Sequence, residues 1–430
     1  MNILIYTIKS VAYALTEPYW MVFLVFICLM LYNKNKKIAY MQKLVIGESN
    51  DSPFELTISQ IVIGIFAGII ASLILSYTGI IFDENSAVDL VFLTSIVFMF
   101  FNPRFICFSY SGAALGMTSL LLSGVAYLLH NPGIDFLKID IAALMSMVAI
   151  LHFVEGFLVL IDGKKGYVPV FSIRGKQIIG GFVMNRYWLL PITIFLMLHG
   201  QDAAGIGAQV PMPNWWPLAG TSIPVEVLKT AVISLVPFYG IIGYQSITFT
   251  QTVKEKSTRS GVYIIVYSLV LFAFAQLAVI NIFFQVLVLI FAPAAHELMI
   301  NLQVSNEKNK DPKYVSSDEG IMVLDVAKNS PAVDMGIGTG DLLVEVNGRK
   351  IENEDDILNA VTEMYGLISF KIKKASGIIC DVSHDRIGHD RKLGIVFVPR
   401  KIPKDSTILK VNNNKFQELL DKIKNKNKDE

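Results

Sequence analysis

The sequence predicts a multi-span α-helical membrane domain, with about eight to nine transmembrane helices, followed by a small α+β domain. Of the 430 residues, 53% are apolar and only 17% are charged, against about 25% charged residues in an average soluble domain. Up to residue 300, apolar stretches of spanning length alternate with short polar loops. After residue 300, charged residues become frequent and apolar runs shorten to the length of strands.

Nine stretches are candidate spans: 14–32, 58–80, 87–101, 106–129, 141–161, 187–199, 223–244, 261–280 and 282–300. Two of them, 87–101 and 187–199, are short for a bilayer that needs about 20 residues. If residues 1–32 form an interfacial helix instead, the count falls to eight. The predicted domains are a membrane domain at 1–300, a polar linker at 301–317, a compact domain at 318–400 and a basic amphipathic tail at 401–430.

The distribution of Lys and Arg residues among the loops predicts how the chain is oriented in the membrane. The loops on one side carry 13 Lys and Arg residues: 33–57, 102–105, 162–186 and 245–260. The opposite loops, together with the N-terminal segment, carry Lys9 and Lys138. Because positive loops stay in the cytoplasm, the C-terminal domain is predicted to be cytoplasmic and the 201–222 loop external. A net charge of +1 gives no indication of nucleic-acid binding.

The first part of the C-terminal domain carries a specific pattern, GIMVLDVAKNSPAVDMGIGTGDLLVEVNGRKI, at residues 320–351. Residues 321–326 alternate as a strand, Ser330 and Pro331 open a short helix, and Asn347-Gly348 favours a tight turn. The pattern resembles the PDZ family, in the circularly permuted form of bacterial membrane and protease proteins. The resemblance implies a peptide-binding domain whose groove strand comes last.

The predicted peptide-binding residues lie in the last strand, in the segment before it and on the facing helix: Leu393, Gly394, Ile395, Val396, Arg391, Ile357 and Val361. The resemblance implies that backbone N–H groups cradle a C-terminal carboxylate while the strand edge accepts a peptide. Arg391 adds positive charge, and Ile357 and Val361 form the pocket walls. A valine at position 394 is expected to block the ligand without unfolding the domain. The alternative is that the strand only completes the fold.

A second motif falls short of a zinc site. His296 and Glu297 begin like the HExxH motif of zinc proteases, but the second histidine position holds Ile300, which cannot coordinate a metal. The LIDG run at 160–163 precedes this pair, whereas the intramembrane zinc proteases have the reverse order. The prediction is therefore no metal, no cofactor and no catalytic residue. The alternative function is a membrane metalloprotease related to the site-2 proteases, active or degenerate.

Ionisable pairs at membrane depth are the remaining candidates. His152 and Glu155 are three residues apart, as are Glu226 and Lys229. Ionisable residues in spans indicate functional sites, although each pair can also satisfy itself on one helix. Small residues predict a close helix contact: Gly64, Gly68 and Ala71.

The layout of the whole chain is similar to that of the MinJ family, the membrane-bound topological determinants of cell division in Gram-positive bacteria. The resemblance implies an adaptor that links a DivIVA-like polar scaffold to a MinD-like ATPase. It also implies a multi-pass protein of the cell membrane, enriched at poles and septa, in contact with lipids and with a peptide or C-terminal tail. A transporter is a third interpretation, but no inverted repeat is discernible.

Overall fold

A computed structural model describes residues 3–84, 86–198, 215–219, 232–363, 366–385 and 392–400. Several predicted features lie outside these residues: the Glu226–Lys229 pair, Arg391, most of the 201–222 loop and the tail at 401–430.

The membrane domain is built mainly of helices. They are α1 (Ile3–Thr16), α2 (Pro18–Ile46), α3 (Pro53–Thr78), α4 (Leu90–Phe101), α5 (Phe108–Leu128), α6 (Ile141–Asp162), α7 (Val253–Leu277) and α8 (Ile282–Asn309). In the described part of the chain, five helices are long and apolar enough to cross a membrane: α3, α5, α6, α7 and α8. The α1–α2 pair, bent by 69°, makes a sixth span if it crosses as one unit. The predicted count of eight to nine spans is therefore not confirmed by the described residues.

Two predicted spans are strands instead. The sheet of the membrane domain contains β1 (Ile81–Asp83), β2 (Val168–Arg174), β3 (Gln177–Leu198) and β4 (Val232–Thr248). Strands β3 and β4 pair in antiparallel fashion from Phe182↔Thr248 to Leu198↔Val232. The prediction of helices at 187–199 and 223–244 is therefore wrong wherever the structure describes those residues.

The reason for this error is that both faces of β3 are buried. Tyr187 and Leu189 pack against Ile27 of α2, whereas the alternate residues Trp188 and Leu190 join the core cluster that contains α6. A strand buried on both faces reads as a continuous apolar run. Such a run cannot be distinguished from a buried helix by its periodicity.

The glycines of α3 lie directly on the backbone of β3. A Cβ atom added to Gly64 would come within 2.2 Å of the Leu189 carbonyl oxygen, and one added to Gly68 within 2.3 Å of the Pro191 oxygen. The predicted close contact therefore exists, but in the structure these two glycines pack against a strand and not against a helix.

Helix α3 also covers an edge of the sheet. Between the segments that pair with β2 and β1, the outer edge of β3 faces α3 instead of another strand. The Thr193 N–H donates to Ser72 Oγ at 2.9 Å, and Pro191 has no N–H to satisfy. Since a bare sheet edge is not tolerated in lipid, this cover is what permits a strand at this depth.

The C-terminal domain follows α8, which continues to Asn309, so the first nine residues of the predicted linker at 301–317 are helical. Its elements are β5 (Ile321–Val326), α9 (Pro331–Asp334), β6 (Leu342–Val346), β7 (Arg349–Lys350), α10 (Glu354–Glu363), β8 (Leu367–Lys373), β9 (Ile379–Asp385) and β10 (Ile395–Phe397). The sheet order is β10-β5-β6-β8-β9, with β7 paired to β6. The last strand that the structure describes, β10, thus lies at one edge of this sheet.

Candidate functional site

Strand β10 has one strand neighbour among the described residues. It pairs in antiparallel fashion with β5, in a register that begins at Ile395↔Val326. Its other edge is not occupied by a described strand. An edge of this kind can accept an extended peptide through main-chain hydrogen bonds.

The segment before β10 directs two amides outward. The Leu393 carbonyl accepts from the Ala332 N–H at 3.3 Å, and the Gly394 carbonyl accepts from the Ala327 N–H at 2.8 Å. In a trans peptide unit the N–H points opposite to the carbonyl of the preceding residue. The N–H groups of Gly394 and Ile395 therefore point away from the body of the domain, where they can donate to an anion.

The apolar side chains near this edge come from alternate positions. Leu393, Ile395 and Phe397 pack in one cluster with Ile357 and Val361 of α10. Ile357 is only 1% exposed and belongs to the domain core, whereas Val361 is half-buried. The sequence interpretation missed Phe397, which the two-residue period of the strand could have indicated.

Val396 faces the other way. Its side chain packs with Ile46, Ile178 and Phe182 of the membrane domain. In this orientation Val396 can contribute to a groove on the open edge only through its backbone.

Gly394 is required by the fold itself. Its φ of +75° is a left-handed conformation that favours glycine, and an added Cβ would lie 2.2 Å from the Ser330 Cβ. The expectation that a valine at position 394 would leave the domain folded is therefore wrong, since the new side chain would meet the domain and not a ligand.

Polar contacts also hold the C-terminal domain to the membrane domain. Lys328 Nζ lies 2.8 Å from Asp51 Oδ1, and the Asn329 N–H donates to Glu48 Oε1 at 3.1 Å. Asp51 and Glu48 belong to the loop between α2 and α3, which lies within a predicted cytoplasmic segment. The domain is thus attached to the side of the membrane domain that carries the predicted positive loops.

A buried carboxyl group lies at the same junction. Asp325 of β5 is 3% exposed and accepts a hydrogen bond from the Tyr167 hydroxyl at 3.2 Å. Burial raises the pKa of Asp325 to about 6, although hydrogen bonds from the Val326 N–H and the Tyr167 hydroxyl act in the opposite direction.

In the membrane domain, Glu297 of the incomplete zinc motif is held by two partners. It forms an ion pair with Arg104 and accepts a hydrogen bond from the Tyr110 hydroxyl. Its neighbour His296 is 7% exposed and points to another group of side chains.

That group is a cluster of Cys107, His152 and His296. Their Sγ and imidazole nitrogen atoms all lie within 4.8 Å of one another. Cys107 Sγ is 2.9 Å from His152 Nε2 and 3.5 Å from His296 Nε2. Glu155 Oε2 lies 3.9 Å from the same His152 nitrogen, so the two predicted partners are neighbours at a distance longer than a hydrogen bond. Sequence reasoning missed the cluster because its members come from three distant segments, and no local spacing could have indicated it.

Comparison with known proteins agrees with this architecture. A family model described as the PDZ domain matches residues 300–366. The chain is 24% identical over 348 residues to the cell division topological determinant MinJ of Bacillus subtilis (strain 168), an alignment that covers 78% of this chain and 81% of the relative. The chain is therefore a MinJ-like protein with a PDZ domain.

Proposed function

We propose that the protein is a membrane-anchored adaptor in division-site placement, and that it recruits cytoplasmic proteins through the groove between β10 and α10. The similarity to a cell division topological determinant supports the cellular role. The open edge of β10 supports recognition by strand addition. The partners implied by the family resemblance are a DivIVA-like scaffold and a MinD-like ATPase.

The observation that carries the proposal is the pair of outward amides at Gly394 and Ile395, next to the apolar cluster of Phe397 and Val361. The amides would bind the terminal carboxylate of a partner, and the cluster would bury its last apolar side chain. Lys392, an exposed residue just before this segment, adds positive charge. Burying one such side chain contributes about 1.5–3 kcal/mol. Together with the main-chain hydrogen bonds of strand addition, we expect affinities in about the micromolar range.

The test uses the full-length protein in nanodiscs, titrated with the C-terminal peptides of the DivIVA-like and MinD-like proteins of the same cell. Val361→Asp places a charge beside the groove and is expected to weaken binding at least about tenfold, or about 1.4 kcal/mol. The matched control is Val333→Asp, because Val333 is a 44% exposed valine on α9 and its replacement leaves the groove intact. Peptides with an amidated C-terminus test the carboxylate contact.

Equal binding by the parent protein and by folded Val361→Asp would contradict the proposed groove. The full chain is needed because Tyr314 and Val398 are buried against the membrane domain. An isolated PDZ fragment would expose both side chains to water.

A further inference from the structure

The Cys107–His152–His296 cluster has the composition and spacing of a metal site. Zinc binds a thiolate at about 2.3 Å and imidazole nitrogens at about 2.0–2.1 Å in tetrahedral geometry, which places neighbouring ligand atoms about 3.3–3.6 Å apart. The two distances from Cys107 Sγ to the imidazole nitrogens are 2.9 and 3.5 Å. The longer distance already matches the sulfur-to-nitrogen separation of a tetrahedral zinc site, and the shorter one would have to lengthen by about 0.6 Å.

Both imidazoles are held with Nε2 toward the thiol. His152 Nδ1 lies 2.7 Å from the Val148 carbonyl oxygen, and since a carbonyl only accepts, Nδ1 carries the proton. The Tyr110 hydroxyl donates to Glu297, and its oxygen lies 3.4 Å from His296 Nδ1, where it can accept that proton. Each histidine is therefore oriented by an outer hydrogen bond of the kind that orients metal-binding histidines.

The hydroxyl and thiol protons around the cluster are too few to satisfy the Nε2 lone pairs of both His152 and His296. The Tyr267 hydroxyl donates to the Ala292 carbonyl at 2.9 Å, and Ser109 Oγ, 2.7 Å from the Tyr267 oxygen, can then donate to it. Ser109 Oγ also lies 3.2 Å from His152 Nε2, but its proton is directed to the Tyr267 oxygen, so it does not satisfy this nitrogen. Within the described part of the chain, the single Cys107 thiol proton is then left for two imidazole lone pairs. A thiol supplies one proton, whereas a metal ion can accept both lone pairs and the sulfur.

Charge favours the same conclusion. A Zn²⁺ ion with one thiolate has a net charge of +1, and the Glu155 carboxylate, 3.9 Å from His152 Nε2, would bring the site to neutrality. Charge balance is important here because uncompensated charge within a span is costly. Glu155 lies one helical turn after His152, close enough to supply this compensating charge.

From this geometry we propose that the membrane domain binds one zinc ion through Cys107, His152 and His296, with the Glu155 carboxylate near His152 as the compensating charge. Binding converts the Cys107 thiol into a thiolate and releases its proton to the solvent. The ion joins the start of α5 to α6 and α8. Since α8 leads into the PDZ domain, the ion would fix the helix from which that domain extends.

The proposal replaces the prediction that the chain holds no metal. That prediction depended on Ile300 in a linear motif, and the proposed ligand set does not use position 300. The proposal assigns no proteolytic activity, because Glu297, the presumed base of that motif, is engaged by Arg104 and Tyr110.

The first test is elemental analysis of the full-length protein, purified in detergent with an affinity tag that contains no histidine. The expected result is about one zinc ion per chain. Cys107→Ser and His296→Gln are each expected to reduce the zinc to background. The matched controls are Cys28→Ser, another half-buried free cysteine in an apolar helix, and His130→Gln, an exposed histidine. Both controls should retain the ion.

The second test keeps the proposed ligands intact, so it does not depend on the folding of a ligand variant. In a protein with Cys28→Ser and Cys380→Ser, a chelator should accelerate alkylation of Cys107. Refilling with Co²⁺ should produce a thiolate-to-cobalt charge-transfer absorption band. The proposal is overturned if the folded protein takes up neither zinc nor cobalt, if the chelator leaves the reactivity of Cys107 unchanged, or if Cys107→Ser retains its metal.

Discussion

At the scale of single residues, Gly64 and Gly68 determine how closely α3 approaches the sheet. Their missing Cβ atoms let the helix lie on the carbonyl groups of Leu189 and Pro191. A side chain at either position would have to displace backbone, which cannot turn aside as the end of a flexible side chain can. Gly124 of α5 provides a comparison, because a Cβ added there meets no heavy atom within 4 Å.

Gly64→Ala is therefore expected to lower the free energy of unfolding by about 1–3 kcal/mol, the usual effect of overpacking. Gly124→Ala should be neutral or stabilising by up to about 1 kcal/mol, since alanine favours helices more than glycine does. The measurement is unfolding of the purified protein in detergent. Equal effects of the two substitutions would contradict the close contact between α3 and β3.

Asp325 predicts a dependence of domain docking on pH. Its pKa is raised to about 6 in the docked state, so the docked state binds the proton more tightly than a free aspartate with a pKa of about 4 does. Docking is therefore favoured at low pH, and this contribution is lost as the pH rises through about 6. The asparagine side chain of the Asp325→Asn variant is neutral at all pH values, so this variant should remove the pH dependence of domain docking.

Spin labels at Lys164→Cys and Val333→Cys, on the two domains, measure this docking in a background free of native cysteines. A narrow distance distribution is expected at pH 5 and a broader one at pH 7.5, whereas Asp325→Asn should stay narrow at both. Identical distributions at the two pH values in the parent protein would contradict the role of Asp325.

At the scale of elements, the long β3–β4 hairpin is the feature that most changes the predicted fold. Phe195 and Leu235 are paired in the register and lie in one cluster. The Thr193 N–H points away from β4, so the Thr193–Pro237 pair of the two strands is not hydrogen-bonded. The Phe195–Leu235 pair, two residues further along, is of the same kind, in which the side chains approach most closely.

Phe195→Cys combined with Leu235→Cys is therefore expected to form a disulfide under mild oxidation, in a background free of native cysteines. Phe195→Cys combined with Val236→Cys is the control, because a shift of one residue places the second thiol on the opposite face. Mass spectrometry of the digested protein identifies the cross-link. Equal cross-linking of both pairs would contradict the strand register.

Sequence reasoning predicted the elements of the PDZ domain better than those of the membrane domain. The strand β5, the short helix α9 and the turn at Asn347-Gly348 lie where the sequence pattern placed them, because Pro, Asn and Gly residues mark the ends of short apolar runs there. Residues 187–198 are apolar on both faces, so only length argued against a helix. The cluster at Cys107 was missed for a different reason, since its ligands are joined by helix packing.

At the scale of the whole molecule, the PDZ domain is docked on the membrane domain, and no described strand occupies the free edge of β10. Val396 and Val398 of the last strand region pack against Ile46 and Phe182, whereas the alternate residues Ile395 and Phe397 face α10. One short segment therefore serves two purposes. It anchors the domain to the membrane part, and it presents the edge proposed to bind partners.

The proposed orientation places this groove in the cytoplasm. In a background free of native cysteines, Val333→Cys should react with an impermeant thiol reagent only after permeabilisation. His130→Cys, at the opposite end of α5, should react in intact cells. The reverse pattern would show that the topology is inverted.

The central claim is that the groove recruits division proteins, and the position of the MinD-like ATPase in living cells tests it most directly. The ATPase would be imaged as a fluorescent fusion at native levels, beside the parent protein, Val361→Asp or Val333→Asp. The account predicts enrichment at poles and septa with the parent and with Val333→Asp, and a dispersed signal with Val361→Asp while that variant remains in the membrane. Unchanged enrichment with a stably expressed Val361→Asp variant would contradict the account.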